Sequence, residues 1–302
     1  MPQVASFEIT VGRQSVRITR PDKVLFPQDG ITKRELAEYY QQIASVMLPY
    51  LRGRPIAMER YPDGIRGERI FQKAAARYFP AWVKTALMKK QGGTVRHVIC
   101  DDAATLVYLA NQASITPHVW LSRSDKPQCP DHMIFDLDPS GDDFSAVCRT
   151  ALKLRELLEH DGLRAFVKTT GSRGLHVLVP LDRRVDFDDV RTFARAVAKR
   201  LVATDPEHLT MDIRKGKRGG RIFIDTARNA YAQTAAPPYA VRPRDGAPVA
   251  APLEWRELED PKLRPDTYTI RNIFKRLESL GDVWKGVTSG ASSLPKAKLA
   301  AS

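Results

Sequence analysis

Cysteine is scarce in this sequence, and its scarcity excludes whole architectures. The three cysteines, Cys100, Cys129 and Cys148, are odd in number, unevenly spaced and fit no zinc-ligand spacing. They read as reduced thiols of a cytoplasmic protein rather than as a disulfide framework. Long apolar runs are missing too: no stretch approaches the ~20 residues that a membrane helix requires, and the first residues carry no signal-peptide apolar core. The expectation is a cytoplasmic chain without a membrane partner. Acids are in deficit, 35 Asp+Glu against 48 Lys+Arg, and the resulting +13 favours a polyanionic partner, nucleic acid first. There is no internal repeat and no Gly-x-x-x-x-Gly-Lys-Ser/Thr loop. What remains is ordinary for a folded enzyme: 302 residues, 43% hydrophobic and 27% charged, enough for one large domain or two lobes sharing a cleft.

One stretch organises the rest, His132-Met133-Ile134-Phe135-Asp136-Leu137-Asp138-Pro139. It is apolar and β-prone, entered through Cys129-Pro130 and stopped by Pro139-Ser140-Gly141. Alternation along a strand puts Asp136 and Asp138 on one face and Met133, Phe135 and Leu137 on the other. Two carboxylates one pleat apart at the end of a buried strand repel each other and lose hydration, and a divalent cation relieves both costs. Asp225 ends a second such strand, Arg221–Asp225, and either makes a turn or salt bridge there or supplies the third oxygen ligand for Mg²⁺ or Mn²⁺. Two such ions would suit in-line phosphoryl displacement.

The surrounding pattern is α+β, with hairpins rather than regular βαβ repetition. A hairpin is expected over 7–18. Thr32 and Glu35 form a capping box for a helix whose buried stripe includes Leu36, Tyr40, Ile43 and Met47. Strands follow at Pro55–Arg60 and Arg69–Lys73, a short helix near Pro80–Leu87, a strand at Thr94–Ile99 and a helix over 102–112. After the Asp136 strand come a helix over 143–160, strands Ala165–Thr169 and Leu175–Val179, a helix over 188–203, a strand Leu209–Ile213, and the Asp225 strand. An extended arm covers 235–252, a helix 267–279, and the small, polar and basic residues 289–302 form a disordered tail. Residues 1–288 would then be one domain built as two sub-lobes around a central cleft.

Three further stretches carry chemistry. Thr170-Gly171-Ser172-Arg173-Gly174-Leu175-His176 is a strand-turn-strand whose glycines let backbone N–H groups approach an anion, with Arg173 adding a charged donor. His176 is either a buried structural residue or faces the same cleft, and its place beside this turn favours the cleft. Arg214–Arg221 packs its cations directly before the Asp225 strand, suiting a triphosphate or nucleic-acid backbone. Phe71, Tyr78, Phe79 and Trp82 lie among cations and either stack bases or pack the core. Lys33, in a first helical turn where the dipole disfavours a cation, is a tolerated surface lysine or shares a phosphate with that turn.

Taken together, Lys23-Val24-Leu25-Phe26-Pro27, Gly30-Ile31-Thr32-Lys33, Tyr61-Pro62-Asp63-Gly64, Phe71-Gln72-Lys73, Phe135–Pro139, Gly171–Val177 and Asp225–Arg242 resemble, in order, the polymerase domain of bacterial ATP-dependent DNA ligase D, in the archaeo-eukaryotic primase superfamily. The resemblance spans roughly 20–280. It implies a primase-like core and a template-directed nucleotidyltransferase that fills gaps and extends ends in non-homologous end joining, using NTP in preference to dNTP and two Mn²⁺ or Mg²⁺ ions. It implies gapped or nicked duplex with a 5′-phosphate as substrate, Ku and a ligase module as partners, and work at the nucleoid. By residue, Asp136, Asp138 and Asp225 would hold the metals. Thr170, Ser172, Arg173 and His176, with Arg218 and Arg242, would bind the nucleotide. Lys23 and Lys33 would grip the 5′-phosphate, and Phe71 would stack on the template, with Ile70 where a second aromatic is usual. No ligase lysine motif or phosphoesterase segment occurs, so a stand-alone polymerase or an excised domain is expected. Two competing readings are a haloacid-dehalogenase-type phosphatase, which the Pro139-Ser140 pair after Asp138 spoils, and a non-catalytic DNA-end-bridging module.

Overall fold

Alternating and helical periodicities follow one another along the chain, and a computed structural model describing residues 5–295 turns them into elements. In order these are β1 (Ser6–Val11), β2 (Gln14–Thr19), β3 (Val24–Phe26), β4 (Ile31–Thr32), α1 (Lys33–Leu51), β5 (Pro55–Arg60), β6 (Ile70–Gln72), β7 (Thr85–Lys90), β8 (Gly93–Ile99), α2 (Ala103–Asn111) and β9 (Ser114–Trp120). They continue as β10 (His132–Asp138), α3 (Phe144–His160), β11 (Phe166–Thr169), β12 (Leu175–Pro180), α4 (Phe187–Thr204), β13 (Leu209–Thr210), β14 (Ile222–Asp225), β15 (Thr234–Ala235), β16 (Pro252–Leu253) and α5 (Ile273–Leu280). Two compact units result. The first holds the residues up to Trp120 with Thr234–Ala250 and Thr269–Phe274; the second holds Leu121–Gln233, Ala251–Tyr268 and the residues from Lys275. Among the described residues no helix is long and apolar enough to cross a membrane.

The first unit is a sheet of order β15-β9-β5-β8-β7, with β6 also paired to β5. Its main helix, α1, starts as the capping box requires: Thr32 Oγ1 accepts from Glu35 N, and Glu35 Oε2 accepts from Thr32 N at 2.8 Å. The helix expected near Pro80–Leu87 is absent. Thr85 instead opens β7, because the Gly92-Gly93 pair, with φ of 73° and 148°, closes a tight hairpin onto β8 and overrides the helix-forming Ala86-Leu87-Met88. β9 escapes the sequence reading because Pro117 sits inside it. There β9 has β5 on one side, while β15 reaches only Val119 and Trp120, so the missing N–H breaks no ladder.

The second unit is a sheet of order β13-β14-β10-β12-β11-β16, antiparallel except for the β13–β14 pair. α3 and α4, capped by Asp143 and Asp186, cover one face. The core there is Met133, Phe135 and Leu137 of β10, Val177 of β12 and Ile224 of β14 against Val147, Leu154, Phe193 and Val197 of the helices. The alternation read from the sequence therefore holds, and the other face carries the polar residues together with the buried Ile134, Leu178 and Phe223. The disorder expected from Ser289 does not hold over 289–295. Ser292 N donates to Pro180 O at 2.9 Å, Asp182 N donates to Ser292 O at 3.2 Å, and Leu294 is buried, so an apolar anchor draws the segment onto the β12 end. Residues 296–302 of the expected tail lie outside the described residues.

Candidate active site

The face of the second sheet opposite α3 and α4 lines up one residue per strand. Lys168 on β11 pairs across with His176 on β12, His176 with Asp136 on β10, and Asp136 with Asp225 on β14. Asp138 follows Asp136 one pleat on, opposite Phe223. The three expected carboxylates and His176 are thus brought to one face, and Lys168, buried at 0% exposure, joins them. Sequence reading missed Lys168, although the hairpin register fixed by the 170–174 turn (Thr169 opposite Leu175) was enough to place it opposite His176.

Packing fixes the hairpin tightly to the acid strand. A Cβ on Gly174 would lie 1.9 Å from the Leu137 carbonyl oxygen, between Asp136 and Asp138, so only glycine lets the two backbones approach this closely. On the other side, β14 pairs with β10 only from Asp136 onward, and the amide of Asn229 takes over at Ile134. Its Oδ1 accepts from Ile134 N at 2.8 Å, and its Nδ2 donates to Ile134 O at 2.7 Å and Thr226 O at 3.0 Å. The loop after Asp225 is held to β10 by that clamp.

Charge in the row is unbalanced. Burial pushes Asp138 up to about 6, helped by Asp136 and then Asp225, and burial likewise raises Asp225. Burial also works against ionised Asp136, but the positive charges of Arg228 and Lys168 favour the carboxylate, and its pKa lies below the usual range. His176 is lowered to about 4 by burial and then by Lys168, so it is neutral at pH 7. Its Nε2 stands 3.5 Å from Asp136 Oδ1, and Arg228 Nε stands 3.9 Å from Asp136 Oδ2. Neither contact satisfies Oδ1, which is buried without a hydrogen-bond partner among the described residues. A buried carboxylate oxygen left over, flanked by two more hard oxygen donors, is the donor set of Mg²⁺ or Mn²⁺. Among the described residues no three such groups yet converge closely enough to enclose one ion. The three carboxylates stand in a row along β10 and β14 rather than in a closed cage.

The turn before β12 is built differently from the expectation. Thr170 Oγ1 accepts from the N–H groups of Ser172, Arg173 and Gly174 at 3.2, 3.3 and 3.2 Å, and donates to Gly174 O at 3.1 Å. Thr170 is therefore the hub that shapes the turn, and those N–H groups point inward to it rather than out to an anion. Ser172 and the exposed Arg173 are left as the outward donors. Arg218 is stacked on Phe223, its Cζ 3.9 Å from the ring centroid, and its head is tied to the carbonyls of Asp212 and Ile213. Its charge opposes the rise in Asp138 and Asp225.

The other expected site residues belong to the first unit. Lys33 is the first residue of α1 and is buried, not a surface lysine. Its Nζ donates to Asn111 O at 3.2 Å, Asn111 Oδ1 at 3.4 Å and Thr19 Oγ1 at 3.5 Å, all neutral acceptors. Burial, then Arg20, Lys23 and Arg60, lower its pKa to about 8. Lys23 is held by Asp63 at 2.6 Å. Phe71 lies exposed on β6 beside the equally exposed Ile70, edge-on to His118 at 5.4 Å. Arg242 is near Glu59, a buried acid that sequence reading missed. Burial alone would raise Glu59, but His118, then Arg242 and Arg69, hold it at about 2.

Comparison with known proteins shows the family of the chain. Residues 32–284 match the family model described as LigD, primase-polymerase domain. The multifunctional non-homologous end joining protein LigD of Mycolicibacterium smegmatis is 36% identical over 273 residues, covering 89% of this chain and 36% of that protein. The bifunctional non-homologous end joining protein LigD of Bacillus subtilis is 30% identical over 268 residues, covering 88% and 43%. The chain thus spans less than half the length of these curated relatives. The polymerase domain from Mycobacterium tuberculosis Ligase D, solved in complex with DNA, superposes with a TM-score of 0.87 at 34% identity, covering 93% of this chain and 100% of that one.

Proposed function

Because the chain belongs to the LigD primase-polymerase domain family, and so has the α+β primase-like core of a nucleotidyltransferase, we propose that it adds nucleotides to a DNA end or gap under template direction in non-homologous end joining. One observation carries the reading: three carboxylates share a sheet face with an orphaned buried oxygen on Asp136, next to a turn that presents Ser172 and Arg173.

Asp136, Asp138 and Asp225 would hold two divalent ions, manganese or magnesium, which when bound neutralise the carboxylates and polarise the reacting phosphate. The remaining work falls to the chain. Thr170 fixes the turn, Ser172 and Arg173 take triphosphate oxygens, and neutral His176 can donate or accept a hydrogen bond beside Asp136 without adding charge. Arg218 and Arg242 are assigned supporting roles toward the nucleotide, the first on its Phe223 platform. Phe71 is assigned template stacking, and Lys23 and Lys33 the 5′-phosphate of the downstream strand. The neutral cage around Lys33 suits that role, since among the described residues its ammonium bonds only neutral acceptors. NTP over dNTP, Ku and a ligase module as partners, and cytoplasmic work at the nucleoid complete the proposal.

The test is extension of a primer on a gapped duplex bearing a 5′-phosphate, with NTP and dNTP and with Mn²⁺ and Mg²⁺. Templated addition by the wild type that Asp136→Ala abolishes, with folding intact, is the expected result. Hydrolysis of a simple phosphomonoester without any nucleotide incorporation would overturn it in favour of phosphatase chemistry.

A further inference from the structure

On the second unit, a cavity of about 250 Å³ opens onto Asp225 from the side away from the Thr170 turn. One wall is the outer face of α4, where Arg191, Arg195 and Lys199 fall at four-residue intervals and are all exposed. The floor is apolar: Met211, Phe223 and Ile213, the last 74% exposed. Among the described residues none of the three cations has an ion-pair or hydrogen-bond partner, whereas the next cation on the helix, Arg200, is bound to Asp161 at 2.6 Å. Like charges four apart on a helix destabilise it slightly.

Its position relative to the carboxylates gives the stripe a use. In the sheet order, β12 and the Thr170 turn flank β10 on one side and β14 and β13 on the other, and the groove is lined by residues 223–227 at the end of β14. In-line transfer requires the attacking hydroxyl and the departing pyrophosphate on opposite sides of the α-phosphorus. If the triphosphate lies at the turn, the 3′-hydroxyl must reach the acids from the β14 side, where the groove ends. We propose that the groove seats the primer: its last phosphodiesters lie along Arg191, Arg195 and Lys199, its sugars lie on Met211 and Ile213, and its 3′-hydroxyl comes to rest at Asp225. In the reaction that oxygen bonds to the α-phosphorus as the bond to the β-phosphate oxygen breaks; the hydroxyl proton leaves to solvent, and pyrophosphate departs on the turn side. The inference rests on the polymerase reading and adds the strand and the path to it.

The triple variant Arg191→Gln/Arg195→Gln/Lys199→Gln tests it in single-nucleotide addition to a gapped duplex. The apparent KM for DNA should rise on the order of ten- to hundred-fold, and the salt slope of DNA binding should fall by roughly 2 to 3, the share of three phosphate contacts. The apparent KM for the nucleotide should stay put, and a variant with Lys at all three positions should restore DNA binding. With neutral methylphosphonate linkages at the last primer positions, wild type and triple variant should become equal. The same linkages in the downstream strand should leave the variant's deficit at full size. An unchanged KM for DNA, or a deficit that persists against the neutral primer, overturns the inference while normal wild-type extension keeps the polymerase reading. No extension by the wild type overturns both.

Discussion

Asp225 stands directly across from Asp136 in the antiparallel pairing of β14 with β10, and Asp138 lies one pleat further along. The proximity raises Asp138 to about 6 after burial has acted, which is the signature of charges waiting for a counterion. Removing one charge should therefore help the metal-free fold. Asp225→Asn is expected to raise Tm by about 2–4 °C, the shift that ~1 kcal/mol gives in a protein of this size, while reducing nucleotide addition on the order of 10³-fold. Mn²⁺ should raise the Tm of the wild type and have little effect on the variant, by mass action on the folded state. Equal stabilisation of both by the ion would remove Asp225 from the ligand set.

Lys33 gives a pH dependence with a definite sign. Burial lowers its pKa to about 8, so the ammonium that would hold a 5′-phosphate is present at pH 7 and depleted by pH 9. The preference for 5′-phosphorylated over unphosphorylated gaps should fall as pH rises through 8. Lys33→Ala should start roughly tenfold lower in that preference, the loss of one charge-assisted hydrogen bond, and show no such fall. For stability the sign is opposite: the unfolded chain holds the proton up to about 10.5, so the cost of burying the charge is relieved as pH rises from 8 towards that value. A wild-type preference that is flat from pH 7 to 9.5 would remove Lys33 from the phosphate site.

Thr170 separates shaping from binding. Thr170→Val leaves three N–H groups without their acceptor and should cost about 1–3 kcal/mol of stability, together with a raised apparent KM for the nucleotide. Thr170→Ser should restore both, because the hydroxyl alone makes the hub. If the valine variant keeps wild-type Tm and KM, the turn is held by something else.

Much of this was legible beforehand because it follows from local rules. The alternation in β10 put Asp136 and Asp138 opposite Phe135 and Leu137, and the Thr32–Glu35 box fixed the start of α1. What was not legible needed information from elsewhere in the chain. Pro117 disguised β9 because only the partner strands reveal that its N–H was not needed there. The surface alternative for Lys33 stayed open in the sequence because its neutral cage comes from Thr19 and Asn111, 14 and 78 residues away. Thr170 read as a phosphate ligand because a hydroxyl's partner cannot be seen in sequence; the same atom serves equally to bind a ligand or to fold a turn. The α4 stripe went unremarked in the sequence because only the folded groove brings Arg191, Arg195 and Lys199 beside Asp225.

The approach of Gly174 to the Leu137 carbonyl has a genetic consequence. Every single-base missense change in a glycine codon introduces a side chain, and any side chain at Gly174 meets that carbonyl oxygen. Neither partner can drift to make room, since one is backbone of the turn and the other is backbone of the acid strand. Codon 174 has therefore no neutral missense neighbour, and a survey of random variants selected for end joining should recover only synonymous changes there.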